Sequence, residues 1–145
     1  MAGKIEVRKE ILNALVVAGA GLPLFALAFA LYFALFAAFD SFANHDGSYR
    51  FVGPLRIGYG LALCGLCALL YRIRIPDPLK AASLAASLGT LWIGVGVALH
   101  ERSVAFLAVA FASGLGVVSL IARSRRRWYH LLAPALAAAA AFAYL

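Results

Sequence analysis

The sequence predicts an all-α fold: a single integral membrane bundle of about five transmembrane helices over residues 1–145, with a cytoplasmic N-terminus. Three observations lead there. Between residues 11 and 39 no Asp, Glu, Lys or Arg occurs, and similar stretches follow at 51–71 (broken only by Arg56), 81–99, 103–122 and 128–145. A bilayer core about 30 Å thick takes about 20 apolar helical residues to cross, and a helix is the form in which such a segment satisfies its own backbone N–H and C=O groups. Composition agrees, since 65% hydrophobic and 13% charged residues, with a mean hydropathy of +0.93, leave too little polar surface for a soluble domain. The third observation is the grouping of cations beside the apolar segments. If each span reverses direction, Lys4, Arg8, Lys9, Arg72, Arg74, Lys80, Arg123, Arg125, Arg126 and Arg127 fall on one side and Arg50, Arg56 and Arg102 on the other. That bias marks the richer side as cytoplasmic.

The expected helices cover approximately residues 5–39, 54–75, 79–100, 103–123 and 128–145. The first has an uncharged run of about 29 residues that would reach roughly 43 Å, so it must tilt, kink or project. Pro23, which lacks an amide proton, places a kink near Gly19 to Pro23. Basic residues before this run and the Ala-x-Ala at Ala26 to Ala28 suggest a signal peptide, but an h-region is usually 7–15 residues. The segment is therefore expected to stay as a helix, with Lys4–Ile11 as its amphipathic extension.

Asn44-His-Asp-Gly47 signals a turn, and Gly53-Pro54 opens the second helix with proline suited to a first turn. Pro76-Asp-Pro78 separates the second and third helices, and His100-Glu-Arg102 is a tight turn before the fourth. The fifth segment is short for a span. No connection is long enough to hold a soluble catalytic domain.

Small residues recur at spacing four and are expected to let helix backbones approach closely, as lipid-embedded helices require. The stripes are Ala14, Ala18, Leu22, Ala26, Ala30, Ala34 and Ala38; Gly60, Cys64 and Ala68; Ala82, Ala86, Thr90, Gly94 and Ala98; and Ala108, Ala112 and Gly116. Phe25, Phe29, Phe33 and Phe36 are expected to present a bulky face to lipid or to another subunit. Arg72, Arg74, Arg125, Arg126, Arg127, Trp128 and Tyr129 read as membrane-interface anchors, pairing cations with aromatic rings at headgroup depth. The net charge of +7 is thus assigned to the membrane surface and not to nucleic acid.

Cys64-Gly-Leu-Cys67 followed by Arg72 resembles, superficially, the quinone-reducing disulfide-generating membrane proteins, and the resemblance implies a redox pair. Those proteins place their first pair at a helix end and use a second pair in a loop. Here both cysteines lie near mid-span and no other cysteine exists, so packing is the competing reading. His45, Asp46, His100 and Glu101 fall on one side and are candidate metal ligands, with ordinary loop polarity as the alternative. No nucleophile with a base, phosphate loop or metal-ligand repeat is present, and no cofactor is expected.

Tyr49-Arg-Phe-Val-Gly-Pro-Leu-Arg-Ile-Gly-Tyr-Gly-Leu-Ala-Leu63, within residues 49–75, resembles the second helix of small uncharacterised bacterial polytopic membrane proteins. The resemblance implies a bacterial inner-membrane bundle and supplies no activity; this chain lacks the arginine such proteins often carry late in the third helix. The expected partners are the lipid bilayer and other membrane subunits or a second copy. The expected role is a non-catalytic accessory subunit of a larger membrane complex. Its alternatives are a small homo-oligomeric transporter or channel, built around Ser83, Ser87 and Thr90, and a thiol-disulfide redox protein.

Overall fold

A computed structural model describes residues 2–43, 49–99, 103–123 and 127–144. Five α-helices make up the fold: α1 (Ala2–Ala43), α2 (Val52–Leu70), α3 (Asp77–Ala98), α4 (Ser103–Arg123) and α5 (Leu132–Tyr144). Short 3-10 turns at Tyr49–Phe51 and Trp128–Leu131 lead into α2 and α5. Four of the helices, α1 to α4, are long and apolar enough to cross a membrane.

Two expected boundaries change. The second helix stops at Leu70, where the chain turns through Tyr71 and Arg72 toward Pro76, so it does not reach residue 75. The segment 128–145 is not one span-length helix either: α5 has 13 residues and reaches only about 20 Å, against a hydrocarbon core of about 30 Å. Conversely, α1 is longer than expected. Its 42 residues stay helical through Pro23 and reach about 63 Å, roughly twice the thickness of such a core.

The bundle is organised around α3. Pro76 precedes it in an extended conformation, Asp77 supplies a negative charge at its start, and Pro78 sits in its first turn, where its missing N–H costs nothing. Small residues then keep the helix slender. Ala81, Ala82, Ala85, Ala86, Gly89, Thr90 and Gly94 are all buried, as α1, α2 and α5 close around it. The Cβ that Gly60 lacks would stand 2.8 Å from the Cα of Leu91, and that of Gly94 would stand 3.2 Å from the carbonyl oxygen of Arg56. Gly89 likewise meets the ring of Phe25 on α1 and the backbone of Ala137 on α5.

Two apolar clusters result. One joins Leu88, Trp92 and Ile93 to Ala137 and Ala141, with Phe25 and Phe29 packed against it; the other joins Val17, Ala81 and Tyr129. Phe25 and Phe29 therefore turn inward, correcting the expectation of a single outward phenylalanine face. Phe33 is exposed, while Phe36 is half-buried and stacks on Phe51.

The expected α1 stripe is also corrected: Leu22, Ala26, Ala30, Ala34 and Ala38 are exposed. The face that packs is Ala14, Val17, Gly21, Ala28 and Tyr32. A strict spacing of four advances about 40° per step around a helix of 3.6 residues per turn, so a long run cannot stay on one side. On α4, Ala108, Ala112 and Gly116 likewise face outward. That helix docks instead through Phe106, Ala110, Val117 and Ser113, whose hydroxyl accepts the Trp92 indole N–H at 2.8 Å.

Glycine substitutions separate close approach from mere helix propensity. Gly60→Ala, which forces a methyl against the Leu91 backbone, is expected to lower stability by about 1–3 kcal/mol. Gly58→Ala and Gly65→Ala, which meet nothing within 4 Å, should be neutral or should stabilise by up to about 1 kcal/mol. Thermal unfolding of the purified variants in detergent checks the ordering.

Candidate functional site

Two ends of the bundle carry polar chemistry, separated by an apolar middle. At the end where α1 begins, Glu10 holds the entry to α5. Its carboxylate accepts from the Arg127 guanidinium at 3.1 Å and from the Trp128 indole N–H at 2.7 Å. Nearby in sequence, His130 is fully buried, and its Nδ1 shares a hydrogen bond of 3.0 Å with the Tyr71 hydroxyl from the end of α2. Tyr129 stacks on His130 and is only 1% exposed, so it packs in the interior rather than anchoring at an interface. Lys80, read from the sequence as a rim charge, is 7% exposed and lies 3.6 Å from Asp77. Of the other expected anchors, Arg72 and Arg74 are exposed, Trp128 is half-exposed, and Arg125 and Arg126 lie outside the described residues.

The opposite end holds a cleft between α1, α2 and α3. Arg56, one turn into α2, reaches across to α1, where its Nε donates to the Tyr32 hydroxyl at 2.9 Å and its guanidinium lies 5.8 Å from that ring's centre. Tyr59, one turn on, donates to the Ala28 carbonyl at 2.7 Å and fixes the second aromatic wall. Thr90 satisfies its own hydroxyl on the Ala86 carbonyl. Phe29, Phe33, Ile93, Gly94, Val97 and, from the end of α5, Tyr144 complete the lining of a space of about 40 Å³. No carboxylate among the described residues lies within ion-pair distance of Arg56.

This cleft was only partly legible in the sequence. Arg56 stood out as the one charge inside an apolar segment. Its partners did not, because Tyr32 and Tyr59 belong to different helices and read separately as ordinary apolar-helix aromatics. Gly94 with Gly60, two glycines on facing helices, marks the close approach of α2 to α3 beside Arg56, but no comparable signal marks the approach of Tyr32 on α1.

The two cysteines of the Cys64-Gly-Leu-Cys67 pair stand in different surroundings. Both thiols are free. Cys64 lines a cavity of about 450 Å³ with Tyr71, Leu88 and Ile121, whereas Cys67 is buried and lines a different one with Leu24, Ala28 and Ser87. Residues three apart on a helix sit about 60° apart around its axis, which accounts for the two environments. The metal candidates His45, Asp46, His100 and Glu101 lie outside the described residues. Among the described residues no three His, Cys, Asp or Glu side chains gather into a metal-binding group.

The expected polar seam of the third helix also has a definite place. Ser83 donates to the Leu79 carbonyl at 2.9 Å, Ser87 to Ser83 at 2.7 Å and Thr90 to Ala86 at 2.8 Å, so each hydroxyl is satisfied one turn back on its own helix. Ser87 and Thr90 are buried inside the chain.

Comparison of the chain with known protein families, curated proteins and solved structures finds no match.

Thiol chemistry offers a direct check. In the folded protein a maleimide is expected to label Cys64 slowly and Cys67 only after denaturation, and mild oxidants are expected to form no Cys64–Cys67 disulfide. Intact-mass measurement before and after denaturation reads both.

Proposed function

We propose that this protein is a non-catalytic accessory subunit of a larger assembly in a bacterial cytoplasmic membrane, lying N-terminus inside and contacting its partner through α4. The observation that carries the reading is the orientation of α4. Its row of small residues, Ala108, Ala112 and Gly116, faces away from the chain's own core, and Gly116 has open space where a side chain would stand. Rows of this kind let two helix backbones approach in lipid, where apolar burial alone supplies little drive for association. The helix is held from behind by a narrow contact centred on Trp92 and Ser113, which leaves the outer side available.

The transporter reading draws less support, because Ser87 and Thr90 are buried within the chain and satisfied there. The redox reading likewise has its two thiols facing separate cavities.

Native mass spectrometry after gentle detergent extraction tests the proposal. The expected result is stoichiometric retention of larger, different subunits. Ala112→Phe should reduce that retention about tenfold while leaving thermal stability unchanged, since the ring projects outward. A defined homo-oligomer without other subunits overturns the accessory reading in favour of transport.

A further inference from the structure

The Arg56 cleft has the composition of an anion site. A guanidinium carries five N–H donors, and the only protein acceptor in hydrogen-bond contact with Arg56 among the described residues is the Tyr32 hydroxyl, which takes the Nε donor. The donors on the two terminal nitrogens remain, on a side chain that lines the cleft and is itself half-buried. A cation drawn out of water without a counter-charge is costly, and an anion on its free edge offsets that cost. Arginine's planar fork matches the oxygens of a phosphate or carboxylate in pairs.

The rest of the cleft fixes the donor and selects its partner. Tyr32 holds the guanidinium by one edge, with its ring centre 5.8 Å away, so the group is oriented before any ligand arrives. Gly94 and Gly60 hold α2 against α3 and set the depth of the arginine. The space of about 40 Å³ admits a few water-sized groups, which is the size of one oxyanion and not of a whole headgroup or substrate. Around it the walls are aromatic and aliphatic, with exposed Phe33 beside the mouth, so a long apolar chain can lie along the outside while its anionic end enters.

We propose that Arg56 binds a phosphate group in this cleft, held by the terminal guanidinium nitrogens and positioned by Tyr32 and Tyr59. The shared chemistry is a phosphate oxyanion, supplied by an anionic phospholipid or by free phosphate. The proposal does not depend on the accessory role, and it can stand if no partner subunit is found.

The test uses delipidated full-length protein in neutral detergent, titrated with dioleoyl phosphatidylglycerol or dioleoyl phosphatidylcholine and followed by native mass spectrometry. The wild-type chain is expected to take one tightly bound phosphatidylglycerol. Arg56→Gln should weaken that event about tenfold or more, the loss expected for charge-assisted hydrogen bonds to a phosphate. Val97→Phe fills the cleft and spares the arginine; it should do the same, and so covers the case in which Arg56→Gln fails to fold. Arg123→Gln, at the opposite end, should leave the event unchanged. Displacement of the lipid by millimolar inorganic phosphate identifies a site open to soluble phosphate, and persistence of the lipid identifies a headgroup site. Equal phosphatidylglycerol affinity in wild type, Arg56→Gln and Val97→Phe overturns the proposal.

Discussion

Where α2 meets α3, a side chain at Gly60 would collide with the Leu91 backbone and one at Gly94 would press on the Arg56 carbonyl. That close approach governs the rest of the molecule. Because α3 offers mainly alanine, glycine and hydroxyl side chains, three helices can surround it with little intervening bulk, and the larger residues are pushed into the gaps that remain. Phe25 fills the space over Gly89, and Trp92 fills the side left open toward α4. Closely spaced backbones gain dispersion contacts over their whole length, the main attractive term available between helices when the surrounding solvent is itself apolar.

A slender central helix also has to dispose of its polar groups. Ser83, Ser87 and Thr90 each return a hydrogen bond to their own helix one turn earlier, so no partner is demanded of a neighbour and the packing surface stays effectively apolar. Trp92 cannot do this, having only a donor, and it takes the Ser113 hydroxyl of α4. That single bond gives α4 a fixed register along α3 despite a narrow contact. Among the described residues, the other charged and aromatic side chains that hydrogen-bond to another helix gather at the two ends, at Glu10, Arg127 and Trp128 on one side and Arg56, Tyr32 and Tyr59 on the other.

The charge gaps made the helical character and four long apolar helices readable directly, because each gap reports a whole segment rather than a contact. Faces were harder. The small-residue stripe held on α3 from Ala82 to Gly94, since that helix is buried nearly all round and drift costs nothing until Ala98. On α1, buried on one side only, Ala14 to Ala38 drifts by about 240° at spacing four and leaves the interface early. The packed set from Ala14 to Tyr32 alternates threes and fours and averages 3.6, a pattern hidden by the abundance of alanine elsewhere. Arg56 was visible as a lone charge. Its aromatic frame was not, since Tyr32 and Tyr59 are brought together only by tertiary packing.

α5 shows how a helix too short to cross a bilayer can still be well fixed. Ala133, Ala137 and Ala141 are buried at spacing four, a run short enough that the drift stays within one face, and they lie in the groove between α1 and α3. Burying methyl groups in this way supplies little directional constraint, so the position along the groove must come from elsewhere. The 3-10 turn before α5 provides it. Glu10 takes Arg127 and Trp128 from one side, Tyr71 takes His130 from another, and Tyr129 closes the cluster with Val17 and Ala81. Three helices are thus tied to one turn of chain, and α5 inherits its register from that turn. The basic rim and the interior are therefore one construction at this end: Glu10 anchors Arg127 and Trp128 at the rim, while Tyr129 and His130, the two residues that follow, carry the connection into the core.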